Sequence, residues 1–327
     1  MTQKLKQGKN RLFTDPDANR AREFFRTKSR SLTNKVTTVK KAVSTYIHDG
    51  DYLGIGGFGA NRISTALLHE IVRQRKKDLG FAGHTATHDG QILCAGECVN
   101  RCDVAYIIGL EARGLSPNSR RAFQSGRIEV TEWTNAALSW RLKAAAMGLS
   151  FLPARNILGT DTFEYSAAKE IECPFTGQKY VAYPALYPDV SIIHVHRCDV
   201  FGNCQIEGIL ISDPDLALAS KRVIITTEEI IPTEEIRRRP EATVIPYFAV
   251  DAVCEVPYGS YPGNMPNLYF SDEGHIQEWL KIERDPEEFK AFIDKYIYNT
   301  TDFNEYLQLC GGLEKIMSLR AVERLIK

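Results

Sequence analysis

From Val36 onward the apolar residues of the chain recur with two alternating periods. In "TTVKKAVSTYIHDGD", Val39, Ala42, Val43, Tyr46 and Ile47 form the stripe of a helix that Asp49-Gly50 brings to an end. "DYLGIGGF" reads as a short buried strand. "NRISTALLHEIVRQRK" reads as an amphipathic helix with Ile63, Leu67, Leu68 and Ile71 inward, and "DLGFAGHTA" as the next strand. "VAYIIGL", "IEVTEW", "VSIIHVH" and "RVIITT", rich in Val and Ile, predict further strands. Helical stretches such as "TNAALSWRLKAAAMG" lie between several of them. Strands that alternate with helices predict an α/β fold with a largely parallel sheet and helices on both faces. "VFGNCQIEG" reads as a turn into an added hairpin strand, and the tail from Glu278 to Lys327 as helical.

Residues 1–33 break the pattern. "RLFTDPDANRAREFFRTKSRS" brings Arg20, Arg22, Arg26, Lys28 and Arg30 close together, with few apolar residues besides Phe13, Phe24, Phe25 and Leu32. This predicts a basic extension with a short helix near 19–27, either solvated or laid on a partner subunit. No repeat or low-complexity linker follows, so 34–327 is expected to be one α/β domain with C-terminal helices.

The composition narrows the functional classes. The chain has 327 residues, 43% hydrophobic and 25% charged, with zero formal net charge. That charge gives no reason to expect nucleic acid or a membrane surface as partner. No apolar run reaches the roughly 18 residues of a membrane span, and the polar, basic start has no signal-peptide core, so a cytoplasmic protein is expected. Eight cysteines in such a chain are expected to be reduced, mostly buried thiols. Cys94, Cys98 and Cys102 are spaced to share one face of a helix. Zinc would more often show a C-x2-C pair, so small-residue packing is expected there and no metal.

"GIGGFGANR", residues 54–62, sets Gly54, Gly56 and Gly59 in the G-x-G-x-x-G spacing of dinucleotide-binding turns. That fingerprint also needs an acidic residue about 20 positions on, at the end of the second strand. Asp78 precedes that strand and Asp89 follows its loop. Phe58 crowds the turn, and the unit opens with a helix. These features argue against a nicotinamide oxidoreductase. What remains is a strand that ends in a glycine-rich turn and leads into a helix, exposing N–H groups at the helix's positive end. Such a turn holds a phosphate or the oxyanion of an acyl transfer, or its glycines serve only to make the turn tight.

The longer stretch "DGDYLGIGGFGANRIS" resembles the signature of the A-type chains of family I CoA-transferases. Asp49, Gly50, Gly56, Gly57 and Phe58 fit it, and Gly54 interrupts its apolar stretch. Arg62 and Ser64 stand where the signature has a glycine and a proline, as in the glutaconate CoA-transferase type. The likeness continues through "AAAMGLSFLP", "YPDVSIIH", "TTEEIIPTEEIRRRP" and "VDAVCEVPYGSYPG", covering about residues 34–310. It implies a doubly wound α/β fold and an A-type chain that works with a B-type partner, as a heterotetramer or larger. It also implies CoA transfer between an acyl-CoA, expected to be dicarboxylic, and a free carboxylic acid. Coenzyme A is then substrate, and no permanently bound cofactor is expected. In the family a glutamate in a Ser-Glu-Asn-Gly-like motif of the B-type chain forms a glutamyl-CoA thioester. "QIEGI" and "SDEGH" are the nearest approaches to that motif here, so the nucleophile is expected on the partner and none in this chain.

By the same resemblance, Gly56, Gly57, Phe58 and Gly59 offer N–H groups to the thioester oxyanion. Arg62 stands at the helix start, where its fork suits a substrate carboxylate or simply the surface. The loop "GHTATHDGQ" lines the same end of the sheet with His84, Thr85 and His88, a departure from the small residues of the glutaconate type. Those histidines suit a different acyl group, acid/base work or ordinary loop hydrogen bonds. Glu111 and Arg113 in "IIGLEARG" either bind substrate or pair with each other. His194 and His196 share one strand face and are expected to be structural. Two alternatives stay open: a related acyl-CoA decarboxylase or hydrolase subunit, and a non-catalytic acyl-CoA-binding subunit.

Overall fold

The computed structural model describes residues 5–110 and 112–325. After α1 (Ala18–Thr27) and α2 (Val39–Tyr46), the chain forms β1 (Tyr52–Gly59), α3 (Thr65–Arg73), β2 (Leu79–Ala86), α4 (His88–Ala95) and β3 (Val99–Val104). A small hairpin of β4 (Gly109–Leu110) and β5 (Gly114–Leu115) precedes α5 (Pro117–Gln124), β6 (Glu129–Glu132) and α6 (Asn135–Ala146). β7 (Phe151–Ala154), β8 (Lys169–Glu172) and β9 (Lys179–Pro184) make an antiparallel sheet of their own, with α7 (Asp161–Glu164) between the first two. The chain returns with β10 (Val190–Cys198), β11 (Cys204–Gln205), α8 (Asp213–Ala219), β12 (Arg222–Ile230), α9 (Thr233–Arg238), β13 (Thr243–Ile245) and β14 (Ala252–Glu255). It closes with α10 (Glu273–Ile282), α11 (Pro286–Ile293), α12 (Phe303–Leu309) and α13 (Gly312–Glu323).

The main sheet is doubly wound. β1 lies inside it, and β2, β3 and β6 follow outward on one side. β10 then pairs with the other side of β1, and β12 and β14 continue outward from there, all in parallel. β11 and β13 add an antiparallel flap at the end of β10. β10 and β12 stay in unbroken register from Val190↔Arg222 to Cys198↔Ile230. Their β-branched runs suit strands buried on both faces. The order reverses between β1 and β10, which makes that junction the topological switch point.

Helices cover both faces. On one side Leu67, Ile71, Ile92 and Trp279 pack over the sheet, and on the other Leu138, Leu142 and Leu216 do so. Each such side chain contributes roughly 1.5–3 kcal/mol of burial. Helix starts carry their own signals: the Thr134 hydroxyl accepts the Ala137 N–H, and Pro117 follows the Ser116 cap of α5.

Three expectations are corrected here. The third strand is β3, not "VAYIIGL": its inward residues are Val99 and Cys102, while Asp103 on the other face is buried with Arg141, Trp133 and Tyr52. A buried charge hides the alternation, and the chain turns at Tyr106 and Ile108, both with left-handed φ (60° and 65°). Cys94, Cys98 and Cys102 share no helix, because α4 stops at Ala95 and Cys102 belongs to β3. Burial pushes the Cys94 and Cys98 thiols up to about 12. The helix expected from "NRIS" begins only at Thr65, since Arg62 is left-handed (φ 54°).

The basic extension lies along its own chain. Gly8 N–H donates to Ala168 O (2.8 Å), and Asn10 Nδ2 donates to Val130 O (2.8 Å). Lys28 is half-buried against Asp251 (2.7 Å) and donates to the carbonyls of Lys221 and Ala249. Burial pulls its amine below the usual lysine range.

Candidate active site

The switch point opens at the C-terminal ends of β1 and β10, where doubly wound sheets take ligands. β1 ends in a tight turn: Phe58 and Asn61 exchange backbone hydrogen bonds (3.1 and 2.8 Å), with Gly57 and Gly59 at φ 74° and 60°. A Cβ on Gly57 would lie 2.3 Å from Asn61 O, so only glycine closes the turn. A Cβ on Gly59 would meet nothing within 4 Å, so this glycine faces open space.

Asp213, at the start of α8, braces the turn from beneath. Its Oδ1 accepts the Gly57 N–H (2.8 Å) and Arg62 Nη1 (3.0 Å), and its Oδ2 accepts Arg62 Nη2 (2.9 Å). Ile209 O accepts a further Arg62 bond (2.9 Å), and Arg62 has no solvent exposure. The fork expected to grip a substrate carboxylate is therefore engaged by a carboxylate of the chain itself. The Gly57 and Phe58 N–H groups are likewise bonded, to Asp213 and to Asn61. Of the turn's glycines, Gly59 is the one with space before it.

The rim is strained. Arg62, Thr85, Tyr106, Ile108 and Tyr258 all have left-handed φ, at 54°, 48°, 60°, 65° and 62°. They follow or end β1, β2, β3 and β14 on this same edge. Such residues, above all β-branched Thr and Ile, persist where the surroundings over-determine them, as they do at functional sites.

His84 and Thr85 end β2 beside the turn, with His84 registered opposite Phe58. Asn135 meets Thr85 through two bonds, to its N–H (3.4 Å) and its hydroxyl (3.2 Å). His84 is 5% exposed; Nε2 lies 3.5 Å from Ser139 Oγ and Nδ1 has no partner. Burial lowers its basicity, opposed in part by Asp213. His88 points away from this rim into the core: it meets Trp279 edge-on at 4.8 Å and Gln91 at 3.1 Å, and burial takes it down to about 3. Asp89, also buried, is pushed up to about 7 by desolvation.

Arg113 donates through Nε to Glu273 Oε2 (2.6 Å) and through Nη2 to Oε1. Its partner is therefore on α10, whereas Glu111 lies outside the described residues. His194 bridges Thr226 Oγ1 (2.8 Å) and Glu228 Oε1 (2.8 Å). This has the order of a hydroxyl–imidazole–carboxylate triad, but Thr226 and His194 have no exposed surface, so no substrate carbonyl reaches the hydroxyl. His196 is fixed between Glu207 N–H (3.1 Å) and Pro266 O (2.9 Å). Among the described residues no group of three or more His, Cys, Asp or Glu is placed to hold a metal ion, and no helix is long and apolar enough to cross a membrane.

Sequence reasoning missed Asp213, Ser139, Ser212 and Asn135. "ISDPD" gave one local signal, a serine and aspartate before a helix-starting proline. Nothing local showed that Asp213 reaches a turn 151 residues earlier.

Fold and rim together define a doubly wound α/β protein with a strained rim at the switch point. Residues 36–256 match the family described as coenzyme A transferase, and the chain belongs to that family. It is 33% identical over 306 residues to the A-type subunit of glutaconate CoA-transferase from Acidaminococcus fermentans, covering 88% of this chain and 95% of that one. It is 36% identical over 276 residues to the A-type subunit of 3-oxoadipate CoA-transferase from Pseudomonas knackmussii (83% and 96% covered). The crystal structure of the Acidaminococcus enzyme superposes with a TM-score of 0.84. A single-site variant of the decarboxylase AibA/AibB does so at 0.73, with 31% identity over 81% of this chain and 98% of that one. The family uses coenzyme A as substrate.

The rim yields one test. Gly57→Val is expected to disrupt the turn and the fold around it, because its Cβ would strike backbone. Gly59→Ala fits, and its left-handed φ costs about 1–2 kcal/mol. If the Gly59 N–H faces the oxyanion, Gly59→Ala keeps that N–H but sets a methyl in the open space before it, and is expected to lower kcat by hindering the thioester's approach, with unchanged assembly. Normal kcat in a folded Gly59→Ala protein would remove the turn from catalysis.

Proposed function

We propose that this chain is the A-type subunit of a heteromeric CoA-transferase. It moves CoA between an acyl-CoA, a dicarboxylic one in our reading, and a free carboxylic acid. The nucleophile is a glutamate of a B-type partner, which forms the glutamyl-CoA thioester. This chain supplies the opposite wall: Gly59 and the braced turn at the thioester, with Thr85 and His84 beside the acyl group. Arg62 acts by holding Asp213 and the turn rather than by touching substrate. One observation carries this reading. A strained rim with a left-handed glycine open to space stands at the switch point of a chain that aligns almost throughout with A-type subunits. The assembly is expected to be a cytoplasmic heterotetramer or larger.

Purified alone, the chain is expected to show no CoA exchange between an acyl-CoA and a free acid, and to show it when combined with its B-type partner. Full exchange by the single chain would sink this reading. A second reading, an acyl-CoA decarboxylase or hydrolase subunit, is favoured by the buried, neutral imidazole of His84 on the rim and by the AibA/AibB likeness. Release of CO2, or of CoA without a new ester, in the same assay would select it.

A further inference from the structure

At the rim β1 and β2 fall out of step. Phe58 pairs with His84 and Gly59 with Ala86, so Thr85 is an extra residue, a bulge in β2. A left-handed φ in such a place ordinarily takes glycine, and a β-branched residue at 48° is an outlier. Asn135, the first residue of α6, holds the bulge from the outside. The Thr85 N–H can only donate, so the Asn135 atom it meets is the amide oxygen (3.4 Å). The other end of that amide is then Nδ2, which donates to Thr85 Oγ1 (3.2 Å). This bond uses the hydroxyl as an acceptor, and among the described residues no acceptor meets its own proton. Asn135 also meets the His84 ring, so one exposed amide ties both residues to α6. On the far side of the bulge the Thr87 hydroxyl donates to Gly59 O (2.7 Å), which fastens it to the glycine turn. Thr85 itself is half-buried and keeps an open side.

Resting on the CoA-transferase reading, we propose that Thr85 is a substrate-binding residue for the transfer and Asn135 its positioning residue. The Thr85 hydroxyl donates a hydrogen bond to the acyl oxygen, and Asn135 keeps that proton turned outward. One oxygen stays on the acyl carbon throughout: it is the carbonyl oxygen of the thioester and a carboxylate oxygen of the free acid. A single donor therefore serves both halves of the exchange, and its bond strengthens as charge gathers on that oxygen. Bulges re-aim side chains next to active sites. This one lies beside Gly59, the residue of the turn with open space before it. The strain at Thr85 is then the cost of setting a hydroxyl where glycine would fold more easily.

The test uses the complex with the B-type partner, glutaryl-CoA and acetate. Thr85→Val keeps the shape of the side chain and removes the donor, and is expected to lower kcat/KM roughly ten- to a hundredfold. Thr85→Ser, which keeps the hydroxyl, is expected to restore most of it. Asn135→Asp still accepts the Thr85 N–H, but its second oxygen draws the hydroxyl proton inward, so its loss is expected to match that of Thr85→Val. Both changes together are expected to cost no more than Thr85→Val alone, and additive losses would overturn the positioning role. Wild-type kcat/KM in Thr85→Val would overturn the proposal while leaving CoA transfer intact.

Two readouts stand apart from turnover. Thr85→Gly is expected to unfold in urea at or above the wild-type midpoint, because the left-handed φ suits glycine. A lower midpoint would make the Thr85 side chain a structural requirement and refute its role at the substrate. Calorimetric titration of the complex with glutaryl-CoA is expected to show binding roughly tenfold weaker in Thr85→Val than in the wild type or Thr85→Ser. Equal binding by all three would refute the contact, even in a complex that transferred no CoA.

Discussion

Arg62→Ala is expected to destabilise the protein by roughly 3–5 kcal/mol, because it leaves a carboxylate buried without its countercharge. The Arg62 and Asp213 side chains are 0% and 1% exposed, so water does not replace the lost partner. The same carboxylate holds the Gly57 N–H, so the turn is expected to shift as well. Activity should then fall by a similar factor on mono- and dicarboxylic acyl-CoAs. A residue gripping the distal carboxylate of a substrate would instead lose mainly the dicarboxylic one. Replacing both partners, Arg62→Leu with Asp213→Leu, is expected to recover much of the stability, since it removes the unpaired charge. Urea unfolding of these variants, with kcat/KM on a matched pair of substrates, checks this. A single Arg62→Ala variant of wild-type stability would refute the bracing role.

Mild acid is expected to unfold the chain. His69, His88 and His275 lie in one aromatic core where α3 and α4 meet the C-terminal helices, and burial lowers each: His88 to about 3, His275 to about 4, and His69 well below its usual range. Below about pH 6.5 the unfolded chain takes up protons that these folded sites refuse, so stability falls as pH falls. Asp89, raised to about 7, works the other way, because its folded carboxyl holds a proton that the unfolded one releases above about pH 4. His84 and His196 are lowered by burial in the same sense, and Glu283 is raised like Asp89, so five buried histidines stand against two raised carboxyls and the balance favours the unfolded chain as pH falls below about 6.5. His69 has no partner for either ring nitrogen, so His69→Leu is expected to remove about one proton from the slope and raise stability at about pH 5. Urea midpoints across the range from neutral to mildly acid measure both effects. A midpoint that does not change with pH would contradict this account.

The long β-branched strands β10 and β12, the amphipathic α3 and the helical tail were legible because each follows one simple period. β3 was not, since Asp103 occupies a core position and is satisfied by Arg141 and Trp133 from another part of the chain. The glycine turn was legible as a turn, and the missing acids argued against a dinucleotide there. Which N–H groups of the turn are taken up was not legible, because that depends on Asp213, brought in by the fold. Arg62 shows the same limit: its sequence neighbours suggested a helix start facing substrate, while a left-handed φ and a distant carboxylate turn it inward. Arg113 faces Glu273 for the same reason, a contact across 160 residues. The strain at Thr85 and Ile108 has no sequence signal at all, since nothing in the identity of a β-branched residue announces a backbone it disfavours.

The place of β1 inside the sheet bears on how the chain is made. One edge of β1 is taken by β2 soon after it emerges, at Leu53↔Phe81, but the other waits for β10, at Leu53↔Val190. At a synthesis rate of about 5–20 residues per second, that edge stands open for on the order of ten seconds. An open, flat edge invites pairing with other nascent chains. The glycines that close the turn also lower the strand-forming tendency of β1, the segment left waiting. Residues needed at the mature rim thus also lessen the hazard of its biosynthesis.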